Sequence, residues 1–302
     1  MKIAVLMSTY NGHRYLNEQL ESLAKQTVAE DMTVYIRDDG STDDTFEIID
    51  RWKDRIDISL IKGKNVGPAQ SFWTLFVDKD IKADYYAFCD QDDIWDKDKI
   101  ERGLNAIMAE GGPALWCSNC RIIGSTDSLL KERMLEELPN LSICSQLVCG
   151  LIQGCAMLFN NELRKYILTK KTEHVPMHDI VVMTYCLAVG TVIYDKLPSF
   201  SYRMHENNVV AKEKKSLLRR IIHSYKMWFF PKKKNETSVF AKVLLEDNKQ
   251  FLDESTANYL NNVANSKENF WLRLKVIFDP LTNSINKSAE LSYKIRLFIG
   301  VL

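Results

Sequence analysis

Four short apolar runs, each closed by a polar turn and followed by a segment of helical spacing, fill roughly the first third of the chain. Lys2 to Met7, Thr33 to Arg37, Ile56 to Lys62 and Tyr85 to Cys89 read as strands. Tyr15 to Gln26, Thr45 to Lys53, Ala69 to Val77 and Lys97 to Ala109 read as helices, with Leu16, Leu20 and Leu23 on one face of the first. Strict alternation of strand and helix predicts an α/β fold with a mostly parallel sheet flanked by helices. Ligands of such sheets bind beyond the carboxyl ends of the strands. The polar clusters stand at those ends: Ser8-Thr9-Tyr10-Asn11-Gly12, Asp38-Asp39-Gly40-Ser41 and Asp90-Gln91-Asp92-Asp93.

The rest of the chain is more mixed. Ala114 to Ile123 and Leu151 to Phe159 read as strands, Asp179 to Gly190 as a helix, Thr191 to Tyr194 as a strand, and Tyr202 to Asn208 as a polar loop. Between 212 and 234, nine Lys and Arg residues face only Glu213, interleaved with Leu217, Leu218, Ile221, Ile222, Trp228, Phe229 and Phe230. That pattern reads as a basic amphipathic helix. It either docks on an anionic membrane surface or packs its apolar face on the preceding domain. Val239 to Leu302 continues as helices. The expected division is an α/β domain over 1–211, with halves at about 1–110 and 111–211, and a helical extension over 212–302.

With 46% hydrophobic and 26% charged residues, the composition is that of a globular chain. The formal net charge of zero points to no partner by itself, and no nucleic-acid motif accompanies the basic run. The opening apolar run is too short for a secretory signal, and no stretch reaches the roughly 18 to 20 apolar residues that span a bilayer. A cytoplasmic chain is expected, touching the inner face of the cell membrane through 212–234. The seven cysteines lack a second pair to complete a zinc site with Cys117 and Cys120, so buried structural thiols are expected.

Three carboxylates within Asp90-Gln91-Asp92-Asp93 repel one another unless a cation or a solvated turn relieves them. Mg²⁺ and Mn²⁺ suit oxygen ligands of this kind, with substrate phosphates completing the shell. The alternative is an ordinary helix cap from Asp93 or Asp96. Asp38-Asp39 before Gly40-Ser41 carries the same two readings, a ligand site or an Asx turn.

Ser8-Thr9-Tyr10-Asn11, Asp38-Asp39-Gly40-Ser41-Thr42-Asp43 and Asp90-Gln91-Asp92-Asp93 together resemble family 2 glycosyltransferases of the GT-A fold. Gly154-Cys155-Ala156-Met157, His178-Asp179 and Tyr202-Arg203-Met204-His205-Glu206-Asn207-Asn208-Val209-Val210 resemble the bacterial rhamnosyltransferases of cell-wall and capsule synthesis. The resemblance spans about Lys2 to Ala211. It implies an inverting, metal-dependent transfer of one sugar, L-rhamnose from dTDP-rhamnose, to a saccharide or lipid-linked saccharide. A UDP-hexose such as UDP-glucose or UDP-galactose is the alternative donor, and a non-catalytic binding or scaffolding subunit is the alternative of another class.

The resemblance also assigns roles. Thr9, Tyr10 and Asn11 would line the base and ribose, Asp39 would contact the base, and Asp38 would support it. Asp92 would hold the divalent Mn²⁺ or Mg²⁺, with Asp90 on the ribose or the ion's water shell. Asp179 would be the general base that makes the acceptor hydroxyl nucleophilic. His205 would join the metal or, with Arg203, grip the diphosphate; otherwise it orders its loop. His178 would tune the base or touch the acceptor, unless it is a solvent-facing cap residue. Gln153 and Gly154 would face the acceptor, Gly154 by admitting backbone closely. Asn160-Asn161 departs from the basic residues that many relatives carry after the Leu158-Phe159 position. No Gln-x-x-Arg-Trp motif is present, which speaks against a processive synthase. The C-terminal helices are candidates for a homodimer contact.

Overall fold

A computed structural model describes residues 1–170, 176–205 and 236–302. The sheet is built outward from β1 (Ile3–Thr9), whose residues are almost all buried. Parallel to it run β2 (Met32–Asp38) on one side and β4 (Tyr85–Cys89) on the other, and β3 (Ile58–Lys62) lies outside β2. Helices α1 (Leu16–Ala24), α2 (Thr45–Trp52) and α3 (Pro68–Val77) make the crossovers, as the alternation predicts. The register sets Thr9 beside Asp38 and Met7 beside Cys89. Asp38, Asp39 and the 90–93 turn therefore emerge along one edge of the sheet.

Beyond β4 the sheet becomes mixed. After β5 (Ile94–Trp95) and α4 (Lys99–Ile107) comes β6 (Ala114–Ile123), with the short β7 (Leu129–Lys131) on its end and α5 (Ile143–Val148) after it. Strand β8 (Met157–Asn160) runs antiparallel between β4 and β6, and β9 (Thr191–Arg203) runs parallel to β6. Helices α6 (Asn161–Leu168) and α7 (His178–Val189) lie between those strands in sequence. The spatial order is β3-β2-β1-β4-β8-β6-β9-β5.

The structure departs from the sequence pattern at two places. Leu151 to Phe159 is not one strand: Gly154–Ala156 forms a 3-10 turn and β8 starts at Met157. The strand beginning at Thr191 does not stop at Tyr194 but reaches Arg203. The register of β9 on β6 shifts between Asp195 and Pro198, where Arg102 donates to the carbonyls of Leu197 and Pro198 and to Asp195. That bulge absorbs the polar residues and the proline that end the apolar pattern. Arg203 is thus a strand residue, and the polar loop starts after it; residues 206–208 lie outside the described residues, as does the basic segment 212–234.

The C-terminal helices are α8 (Glu236–Asn248), α9 (Glu254–Ala264), α10 (Phe270–Phe278) and α11 (Lys287–Phe298). Phe240, Ala241 and Leu244 of α8 join the same apolar core as the sheet. The Tyr185 hydroxyl donates to Asp247 at 2.6 Å and that of Tyr166 to Asn248 at 2.8 Å, tying α8 to α7 and α6. All cysteines are free thiols, and all but Cys149 are buried. No described helix is long and apolar enough to cross a membrane.

Candidate functional site

The loops at the ends of β1 and β2 are tied to each other. The Thr9 hydroxyl donates to Asp38 at 2.9 Å; the amides of Gly40 and Ser41 and the Ser41 hydroxyl donate to the same carboxylate. Asn11 adopts a positive φ of 48°, and its side-chain oxygen accepts from the Thr42 amide. Asn tolerates this left-handed geometry better than most residues. Asp39 is buried, ion-paired with Arg37, and accepts from the amides of Val66 and Gly67. Tyr10 keeps its ring in solvent while Gln91 bonds both its amide and its carbonyl. A Cβ on Gly12 would lie 2.4 Å from the Gln91 Oε1, so glycine there lets the first loop lie against the acidic turn.

The acidic turn is held from the far side by β9. Strand β5 pairs Ile94 with Ser201, which delivers Arg203 to the turn. The Arg203 amide donates to Asp93 at 3.1 Å and its Nε to the Asp92 carbonyl at 2.8 Å. Its guanidinium, almost wholly enclosed, also pairs with Glu18 and Asp127 and lies over the Tyr15 ring. His205, two residues on, sets its Nε2 2.7 Å from Asp92 Oδ2 and its ring against Tyr15.

Charge in the turn is poorly satisfied. Desolvation, then repulsion from Asp92, pushes Asp90 up to about 7, and Asp179 adds to the effect. Asp93 is raised well above the carboxylate range by the same causes, and its Oδ2 has no hydrogen-bond partner. Asp90, Asp93 and Cys155 offer ligand atoms within 4.8 Å of one another. A buried carboxylate cluster that resists ionising, beside an Asp–His pair, fits a divalent cation, whose charge would restore the ionised forms. Lys99 is buried behind this cluster, its Nζ 4.6 Å from the Trp95 ring centre and within 5.3 Å of those of Trp116 and Phe200. Burial lowers it to about 8.

Asp179 stands in the first turn of α7, where the helix dipole favours a carboxylate. His178 beside it is not a solvent-facing cap. It is buried, stacked on Phe72 at 4.2 Å and edge-on to Phe88, with Nδ1 unpartnered. Desolvation lowers its pKa, which favours the neutral ring. A Cβ on Gly154 would lie 2.6 Å from His178 Nε2, so the close approach at Gly154 is made by a side chain rather than by backbone. Gln153 Nε2 points to the Met134 sulfur. Asn160 caps α6 and bonds Ala114 and Gly112, which gives this departure from the basic pattern a structural role.

The structure therefore gathers Thr9, Asp38 and Asp39 on one bank and Asp90, Asp92, Arg203 and His205 on the other. Asp179, His178 and Gly154 meet them at the end of α7. Residues given no role in sequence are Gln91, Cys155, Lys99, Glu18 and Asp127, while Asp93 was read as part of the acid motif. Cys155 stood in the Gly154-to-Met157 motif without a role of its own, and Lys99 carried no signal.

The family model described as "Glycosyl transferase family 2" matches residues 4–166, more than half of the chain. The chain is a family 2 glycosyltransferase. This enzyme is 29% identical over 217 residues to the dTDP-rhamnosyl transferase RfbG of Shigella flexneri, covering 68% of this chain and 73% of that one. It is 30% identical over 169 residues to the poly(ribitol-phosphate) beta-N-acetylglucosaminyltransferase TarS of Staphylococcus aureus, covering 54% of this glycosyltransferase but 29% of TarS. A structure of S. aureus TarS with UDP-GlcNAc superposes over 99% of this chain and 89% of its own, at TM-score 0.60 and 13% identity. A Pyrobaculum calidifontis mannosyltransferase with GDP-Man and Mn²⁺ superposes over 98% and 85%, at TM-score 0.51 and 14% identity. These likenesses give this glycosyltransferase the GT-A fold, C-terminal helices included.

Proposed function

We propose that this glycosyltransferase moves a single L-rhamnose, with inversion, from dTDP-rhamnose to a hydroxyl of a saccharide or lipid-linked saccharide in surface-polysaccharide synthesis. The observation that carries the reading is the convergence of the 90–93 turn, His205 and Asp179, far apart in sequence, at one end of the sheet, with Asp92 and His205 2.7 Å apart and Asp179 close enough to raise Asp90. The choice of sugar is supported by the Shigella relative.

Asp92 and His205 would hold the Mn²⁺ or Mg²⁺, which when bound neutralises charge developing on the departing diphosphate. The chain's own groups do the rest. Thr9, Tyr10, Asn11 and Asp39 line the base and ribose, with Asp38 locking the loops that carry them, and Asp90 faces the ribose. Arg203 is already paired with Glu18 and Asp127 and acts by fixing the Asp92–Asp93 turn. Asp179 takes the proton of the acceptor hydroxyl. The acceptor oxygen bonds to the anomeric carbon as the bond to the phosphate oxygen breaks on the opposite face. The nucleoside diphosphate leaves with that electron pair, and one displacement gives inversion. His178, kept neutral by burial and seated by Gly154, positions Asp179 and the acceptor, with Gln153 beside them.

A UDP-sugar is the second reading, favoured by the similarity to TarS, whose structure holds UDP-GlcNAc. Nucleotide release from dTDP-, UDP- and GDP-sugars, with Mn²⁺, with Mg²⁺ and with chelator, separates the two. The reading expects release from dTDP-rhamnose that chelator abolishes. Metal-independent release, or release from UDP-hexoses alone, overturns it; donor binding with no transfer to any saccharide leaves the scaffold reading.

A further inference from the structure

Helix α10 has the sequence Phe270-Trp271-Leu272-Arg273-Leu274-Lys275-Val276-Ile277-Phe278, and Val276 alone in it is buried. Trp271 is 72% exposed and Phe278 80%, the latter the most exposed large apolar side chain among the described residues. Trp271, Leu274, Lys275 and Phe278 fall at i, i+3, i+4 and i+7, one face of the helix. On α11, Leu291, Lys294, Ile295 and Phe298 repeat the spacing, and Leu291 and Phe298 are again exposed. The two stripes meet where the Phe270 ring lies 5.9 Å from Phe298 and 6.2 Å from Trp271. The result is an apolar surface that spans both helices through Phe270, Trp271 and Phe298. Arg273 holds α10 to the chain by donating to the carbonyls of Ser266, Lys267 and Phe298.

The charge around this surface is net positive. Residues 267–302 carry six Lys and Arg against three Asp and Glu. Glu290 is neutralised by Lys287 and Lys294, and Asp279 caps the turn that follows α10. Glu268 is the remaining acid, and Lys267 and Lys275 are exposed at the rim. Exposed Trp and Phe framed by Lys match the boundary of a bilayer, where the rings sit at headgroup depth and the ammonium groups meet anionic lipid. A second copy seated here would bring the same basic rim onto itself, a like-charge contact.

We propose that the α10–α11 surface, centred on Trp271, Phe278 and Phe298, docks this glycosyltransferase on an anionic lipid surface. The proposal is independent of the donor assignment and of the 212–234 segment. It is tested with the full chain by co-sedimentation with phosphatidylcholine vesicles, with and without phosphatidylglycerol, for the wild type and for Trp271→Ser/Phe278→Ser. These side chains are solvent-exposed, so the variant keeps its fold, checked by thermal unfolding.

The wild type is expected to partition onto anionic vesicles, less so as salt rises, and the double variant to lose about tenfold or more of that partition. Quenching by brominated lipid provides a second readout: Trp271→Phe should bind but lose most of the quenching. Partition of the double variant equal to wild type, or quenching unchanged in Trp271→Phe, refutes the surface. Failure of the wild type to bind anionic vesicles, or loss in the double variant of a concentration-dependent dimer instead, refutes the occupant.

Discussion

Asp38 and Asp93 are both buried carboxylates at the carboxyl edge of one sheet, and the fold treats them oppositely. Asp38 accepts from the Thr9 hydroxyl, the Gly40 and Ser41 amides and the Ser41 hydroxyl. Asp93 accepts from the Arg203 amide and leaves its other oxygen bare, and burial, then repulsion from Asp92 and Asp90, pushes its pKa up. The first bank is complete as the chain folds, and its hydrogen bonds contribute to stability. In the second, burial and mutual repulsion disfavour the ionised carboxylates, an arrangement that a bound cation would relieve. A binding floor tolerates the first arrangement, and a site that must respond to charge in a reaction needs the second.

Breaking each bank should therefore give opposite signatures. Asp92→Asn removes an expected metal ligand and should lower kcat/KM by about a thousandfold, with nucleotide binding no longer strengthened by Mn²⁺ in calorimetry. Asp38→Ala strips the partner from one buried and three half-buried donors and should cost about 2–4 kcal/mol in urea unfolding. By contrast, Asp90→Asn relieves repulsion and should leave the metal-free protein as stable as wild type or more so, while activity falls; a loss of stability like that of Asp38→Ala would erase the distinction between the banks. Gly154→Ala displaces His178 and should lower kcat by about tenfold with a small change in melting temperature, since a misplaced acceptor side slows transfer without opening the core. Gln91→Leu breaks only the clamp on Tyr10 and should weaken donor binding by a few-fold, read as a rise in KM.

The parallel half was legible because its strands are largely apolar runs closed by polar turns, acidic after β2 and β4, a pattern that fixes both fold and edge. The antiparallel half was not, for local reasons. The apolar stretch from Leu151 does not show where a 3-10 turn ends and β8 begins. In β9 the Asp195-to-Pro198 bulge conceals the strand that carries Arg203. Of the candidate site, Asp38, Asp39, Asp90, Asp92 and Asp179 were readable as motif residues. The Gln91 clamp was not, because its partners are backbone atoms of Tyr10, which leave no trace in side-chain pattern. Lys99 reads as a surface helix residue, and only the tertiary packing of Trp95, Trp116 and Phe200 encloses it.

Asp179 is proposed as the base, with the donor bound without it. Donor binding and sugar transfer measured side by side on Asp179→Asn test this most directly. Donor affinity should stay within about twofold of wild type, while transfer falls by about a hundredfold or more. Transfer at the wild-type rate would contradict it.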